Sequence, residues 1–374
     1  LEISLYRELQ LHLDKLPVGF PATGSGVEIE LLEYLFTPDE AKIALCLGLV
    51  VSPLWRIKRR YEKQFGPVNR EYLAESLAGM FMKGNIRRSD KPPYRYACAM
   101  LAIGIFEYHV DDLTPELMDI LHRYFDEAFM DEFFSSSLPQ LRTTPHAKAV
   151  VPEHRIDTYD NIREYVRDTG RKIHVANCVC KQGEELLGRK CRQTDDYEIC
   201  IMFGETSYAE RGRARRITNS ECLEILDRAE EKGLVVQPAN SLQPYCICLC
   251  CGCCCGVLTS AKKFEKPAEL FATNYHAVLD NTRCTGCGFC IKRCQMDAIT
   301  RIDKKRVSLD LDRCIGCGLC VTTCRQSAVT LEKKSRVTKP PVNTEMLYLS
   351  ILARKAGKMK MLVNLLRLGT GMRL

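Results

Sequence analysis

Cys284-Thr-Gly-Cys287-Gly-Phe-Cys290-Ile-Lys-Arg-Cys294 is followed by Cys314-Ile-Gly-Cys317-Gly-Leu-Cys320-Val-Thr-Thr-Cys324. Both runs are C-x2-C-x2-C-x3-C, and the second repeats the first at a constant offset of 30. More than cysteine recurs: Leu279, Asp280, Arg283, Gly286, Gly288, Ala298 and Thr300 return as Leu309, Asp310, Arg313, Gly316, Gly318, Ala328 and Thr330. Iron in a [4Fe–4S] cube takes soft thiolates at its four outer positions, and this spacing lets thiolates close around one. Three cysteines spaced by two residues wrap a cluster, and the fourth ligand comes from elsewhere. Glycine has no Cβ, so Gly286, Gly288, Gly316 and Gly318 let the backbone approach and aim N–H groups at sulfur.

Residues 276 to 332 resemble the bacterial two-[4Fe–4S] ferredoxins, in which the last cysteine of each run crosses to the other cluster. The resemblance implies that Cys284, Cys287, Cys290 and Cys324 hold one cluster. It implies that Cys314, Cys317, Cys320 and Cys294 hold the other. Gln295 and Arg325 stand where the family run usually continues with proline. Proline there fixes a turn rather than a metal, so the departure touches local geometry and potential, and Arg325 is expected to place a positive charge beside a cluster. A disulfide framework suits a short secreted chain, not one of 374 residues. Structural zinc uses more widely separated C-x2-C knuckles.

Composition is that of a globular chain, 46% hydrophobic and 27% charged. The longest apolar stretch, Ala41 to Leu54, is interrupted by Lys42 and Pro53 and is too short to span a bilayer. Twenty-two cysteines point to a reducing compartment and to metal, hence to a low-oxygen, anaerobic cytoplasm. The net charge of +7 is a property of the tail: residues 332–374 carry ten Lys or Arg against two Glu, which leaves the remainder at −1.

The sequence reads as an α+β multidomain chain. A helical lead over 1–24 precedes a helical, winged-helix-like domain over 25–150. Thr37-Pro38-Asp39-Glu40 is a capping box, Arg56 to Phe65 and Asn69 to Met82 are helical patterns, and a basic loop carries Arg87, Arg88, Lys91 and Arg95. Three helices followed by a basic turn resemble a winged helix in outline. Thr114 to Phe134 reads as a long helix, and Ser135 to Pro152 as a boundary. A cysteine-rich α/β domain spans 151–275. Its expected strands are Lys172 to Cys178, Tyr197 to Phe203 and Leu234 to Gln237, and its expected helices are Asp157 to Thr169 and the one capped at Thr218. The dicluster ferredoxin fold spans 276–332. A basic amphipathic tail covers 333–374, with a helix from about Thr344 to Leu368 that puts Leu347, Ile351 and Leu352 on one side.

A second cysteine set lies upstream: Cys178, Cys180, Cys191 and Cys200, then Cys246, Cys248, Cys250, Cys251, Cys253, Cys254 and Cys255. The last seven fall within ten residues. Alternation at 246, 248 and 250 places three on one strand face. So dense a group of thiols invites oxidation unless metal occupies it. A subset is expected to hold a third site, either a further iron–sulfur cluster, a noncubane one included, or zinc.

The function these observations imply is intracellular electron transfer through two [4Fe–4S] clusters, with the upstream site as an extension. The chain is then a ferredoxin-like carrier or an oxidoreductase subunit, and its partners are a reductase or a terminal oxidoreductase. No nucleotide loop, Ser/His/Asp set or carboxylate pair is read, so the expectation leans away from an enzyme. Two other classes stay open: a redox-sensing winged-helix regulator that binds DNA, and a redox enzyme acting at the upstream cysteines. The tail is expected to dock on a partner helix or peripherally on an anionic membrane.

Overall fold

The computed structural model describes residues 4–149 and 159–355. The chain divides into two compact units: Leu1–Ser137 with Glu205–Arg213 and Tyr348–Leu374, and Leu138–Gly204 with Ala214–Leu347. The expected tail helix is observed over 344–355, with Leu347, Ile351 and Leu352 buried; its continuation lies outside the described residues. Among those residues no helix is long and apolar enough to cross a membrane.

In the first unit, helices Leu5–Leu13, Val27–Leu35 and Pro38–Leu45 precede a short strand β1 (Ser52–Pro53). Helices Leu54–Phe65 and Arg70–Lys83 follow, then a hairpin of β2 (Ile86–Arg88) and β3 (Arg95–Cys98). The sheet order is β1-β3-β2, antiparallel throughout. Local signals read from the sequence set these boundaries. Thr37 and Glu40 form the reciprocal capping box, Asn69 caps its helix through the Tyr72 N–H, and Gly84 ends that helix in a left-handed conformation. The 114–134 helix forms in three pieces, Pro115–Tyr124, a π turn Phe125–Phe129, and Met130–Phe134.

The basic hairpin is tied to its own unit. Arg87 donates to the carbonyls of Cys98 (3.1 Å) and Leu49 (2.7 Å). Arg88 pairs with Glu210 and stacks over the rings of Phe81 and Tyr94, at 4.0 and 3.8 Å. The contacts to Leu49 and Glu210 span 38 and 122 residues, which no local pattern discloses.

In the second unit five antiparallel strands make one sheet: β4 (Ile173–Asn177), β5 (Glu198–Phe203), β6 (Arg215–Ile217), β7 (Val235–Pro238) and β8 (Cys246–Cys250), in the order β6-β4-β5-β8-β7. Because side chains alternate across a strand, the sheet has two different faces. One face carries Ile173, Val175, Ile199, Ile201, Phe203, Val236, Ile247 and Leu249, packed on Ile162 and Val166 of one helix and Cys222, Ile225, Leu226 and Ala229 of another. These helices are Ile162–Asp168 and Asn219–Lys232; Thr218 caps the second and Gly233 ends it. The opposite face carries Cys200, Cys246, Cys248 and Cys250.

The duplicated region closes on itself. Strand β9 (Tyr275–Leu279) pairs with β12 (Val329–Lys333), and β10 (Ile299–Arg301) with β11 (Val307–Leu309). Each half thus lends its first strand to the last strand of the other. The exchange is reciprocal in detail: the Asp280 N–H donates to Ala328 O and the Asp310 N–H to Ala298 O, both at 2.8 Å. This swap carries the end of each cysteine run toward the opposite half.

Candidate metal centres

In the duplicated region the backbone fixes the sulfurs. Gly316 has φ +68°, and a Cβ there would lie 2.2 Å from the Tyr275 carbonyl oxygen. Gly286 has φ +69°, with the Lys304 carbonyl oxygen 2.4 Å from the same construction. Both positions exclude any side chain. Backbone N–H groups point at sulfur: Gly286 to Cys284 (3.4 Å), Ala298 to Cys294 (3.3 Å), Ala328 to Cys324 (3.3 Å) and Ala277 to Cys314 (3.5 Å). Such donors favour the charged, metal-binding thiolate.

Cys290 lies within electrostatic reach of Cys284 and Cys287. Cys294, Cys314, Cys317 and Cys320 lie within reach of one another in every pairing. A small cavity is lined by these four cysteines with Ile299 and Leu331. Burial pushes the Cys317 thiol up to about 12 and also raises Cys290, Cys294 and Cys320. Metal loading here therefore expels protons. Convergent sulfurs, aimed N–H donors and side-chain-free approaches fit cysteine-ligated iron–sulfur clusters, with four cysteines brought together in the second set and Cys284, Cys287 and Cys290 in the first.

The eleven upstream cysteines fall into two groups. In the first, the Sγ atoms of Cys191, Cys251, Cys253 and Cys254 all lie within 4.8 Å of one another. The separations are 3.7 Å (191–251), 3.9 Å (191–253), 3.4 Å (251–253) and 3.7 Å (253–254). A tetrahedron with metal–sulfur bonds of about 2.3 Å has edges of about 3.8 Å. Thiolates on a cube sit on separate irons and stand farther apart. Hydrogen bonds from Cys251 and Cys254 pull the Cys191 thiol far below its usual range, so this group already favours one thiolate.

The second group has seven members. Thiol–thiol hydrogen bonds run from Cys178 to Cys180, to Cys255, to Cys250 and to Cys248, which also takes Cys200 and Cys246. Cys248 and Cys200 are direct cross-strand neighbours. Cys178 and Cys255 stand at the starts of helices Val179–Leu186 and Gly256–Ala261. Thiols of Cys200, Cys246 and Cys250 lower Cys248 well below its usual range, and those of Cys180 and Cys250 draw Cys255 down to about 6. Strand alternation read from 246, 248 and 250 is realised in β8. The division of the remainder follows from the turn at 252–254, which swings Cys251, Cys253 and Cys254 toward Cys191 and returns Cys255 to Cys180 and Cys250.

Gln295 explains its own departure from proline. Its Oε1 accepts from the Gly252 N–H at 2.7 Å, so the end of the first ferredoxin-like run clamps the upstream cysteine turn. Lys262 closes the same junction, donating to Gly252 O (3.1 Å) and pairing with Asp297 (2.9 Å). A Cβ on Gly252 would lie 2.2 Å from the Gln295 carbonyl oxygen. Gly252→Ala is therefore expected to cost about 1–3 kcal/mol and to weaken metal retention at Cys191, Cys251, Cys253 and Cys254. Gly170→Ala, with no atom near its Cβ position, is the neutral control. Equal denaturation midpoints and metal contents for the two variants would contradict this account. Arg325, by contrast, is exposed and lies over the Phe289 ring at 5.9 Å.

The family model of the 4Fe-4S dicluster domain matches residues 277–331. No curated protein matches the chain. The stretch that carries the two cysteine runs is a ferredoxin-type 4Fe–4S domain near the C-terminus.

Proposed function

We propose that the protein transfers electrons through two [4Fe–4S] clusters, the first held by Cys284, Cys287, Cys290 and Cys324 and the second by Cys314, Cys317, Cys320 and Cys294. When bound, each cube supplies a one-electron redox centre. The chain's own residues set thiolate positions, direct N–H groups at sulfur and control water access. The observation that most supports this reading is the seating of Cys294 with the three cysteines of the other run. Cys287 is exposed whereas its counterpart Cys317 is half-buried, so the first set is the one that faces a redox partner. The Cys191–Cys254 group takes a single tetrahedral ion, zinc or iron, as its 3.4–3.9 Å spacing favours.

The test is anaerobic reconstitution of the full chain, followed by dithionite reduction. Paramagnetic signals from two interacting [4Fe–4S] clusters, with electrons passed on to an acceptor protein, are the expected result. A chain that loads no cluster, or loads clusters that no acceptor reoxidises, would end this reading.

The first unit is proposed as a docking element. Its helix–strand–helix–helix–hairpin order and β1-β3-β2 sheet support the winged-helix reading. Its chemistry favours protein over DNA. Arg87 and Arg88 are engaged internally, and the Arg70–Lys83 helix exposes Glu71 and Glu75 toward solvent. DNA affinity falling steeply with salt would revive the regulator reading; capture of a redox protein by the first unit supports docking.

A further inference from the structure

The seven-thiol group built around Cys248 exceeds what one tetrahedral ion accepts, which is four thiolates, and what one cube exposes, which is also four. Packing alone is a poor account of it. Apolar residues of the sheet already form a core on the opposite face, and the thiols are drawn from two strands and two helix starts into one hydrogen-bonded set.

A second, independent observation comes from Gln237. It is 0% exposed, and neither its amide nitrogen nor its amide oxygen has a hydrogen-bond partner. Gln237 is the direct cross-strand neighbour of Cys248, so the two side chains share a face. Across the sheet the row reads Ala176, Cys200, Cys248, Gln237. A buried amide with nothing to bond costs about 1–3 kcal/mol. Thiols are weak partners for it, whereas the sulfurs of a metal centre are strong acceptors for an N–H donor.

We infer that the seven-thiol group holds a metal centre of its own, multinuclear and of the iron–sulfur class, separate from the tetrathiolate ion site. Gln237 is its positioning residue, donating its amide N–H to a sulfur of the centre. Donation to sulfur stabilises the more negatively charged, reduced state, so this residue raises the centre's reduction potential.

The test uses the full chain, reconstituted anaerobically with iron and sulfide, with metals counted per chain and the centres titrated by spectroscopy. Wild type is expected to carry more iron than the roughly eight atoms of two cubes and the single ion of the tetrathiolate site together. Cys200→Ser/Cys248→Ser should lose that excess and keep the dicluster signals and the tetrathiolate metal. Cys191→Ser/Cys253→Ser should lose the tetrathiolate metal and keep the excess iron. Gln237→Leu, which removes no ligand, should keep the full iron count while that centre's midpoint moves to more negative potential. Wild-type iron no higher than the two cubes and that single ion account for, or both double variants removing the same metal, overturns the separate centre. An unmoved midpoint in Gln237→Leu overturns the role given to the amide. The dicluster signals report in every sample, so failure of this centre is distinguishable from failure of the electron-transfer reading.

Discussion

Cys294→Ala is expected to remove the second cluster and spare the first, although Cys294 belongs by sequence to the first run. The strand exchange produces this result. Residues after Cys294 lead into β10, which pairs with β11 of the other half, and β11 leads directly into Cys314, Cys317 and Cys320. The Cys294 sulfur accordingly lies in their electrostatic reach and lines the same cavity, held by the Ala298 N–H at 3.3 Å. Reconstituted variant should lose about four of the dicluster's eight irons. The remaining reduced signal should also lose the broadening that two nearby spins impose. Cys324→Ala is the mirror experiment and should leave the Cys294 set loaded. Loss of the first cluster in Cys294→Ala would mean that each run closes on its own cube.

The family resemblance that implies this crossing was legible because covalent chemistry writes the cysteine runs at fixed spacing. The same holds for Thr37, Asn69 and Thr218, whose capping is settled within three residues, and for the strand in Cys246–Cys250, settled by alternation. The partition of the upstream cysteines was not legible. It depends on Cys200 meeting Cys248 across the sheet and on Cys191 meeting a turn 60 residues away, and non-local pairings leave no local mark. Gln237 looks like any strand glutamine until its register is known. Gln295 could be noticed as a missing proline, yet its reason lies in Gly252, which only the fold brings to it. The basic loop shows the opposite failure. Its arginines look free in sequence, and two of them are bound to groups that local periodicity cannot reveal.

Arg142→Leu is expected to destabilise the second unit by about 3–5 kcal/mol, a large share of any domain's stability. Arg142 and Asp160 form an ion pair at 2.9 Å, each side chain only 4% exposed. Burial draws the guanidinium pKa down, and the facing carboxylate opposes that shift. The second carboxylate oxygen accepts from the Asn274 amide at 2.9 Å, and Asn274 in turn receives the Thr338 N–H. Around the pair, the Arg142 N–H donates to Pro238 O (3.0 Å) and the Thr143 N–H to Ala272 O (2.9 Å). One charged pair therefore sits where the edge of the cysteine-bearing sheet, the lead into β9 and the segment after β12 come together. Removing the cation leaves Asp160 buried without its countercharge, whereas Arg142→Leu/Asp160→Leu removes both and should recover much of the loss. Both variants keep every cysteine. If the strut holds the ferredoxin-type domain against the sheet, Arg142→Leu should release dicluster iron at a denaturant concentration that the double variant and wild type withstand. Cluster release that tracks wild type, despite a lowered unfolding midpoint, would show that the dicluster keeps its iron without support from the sheet.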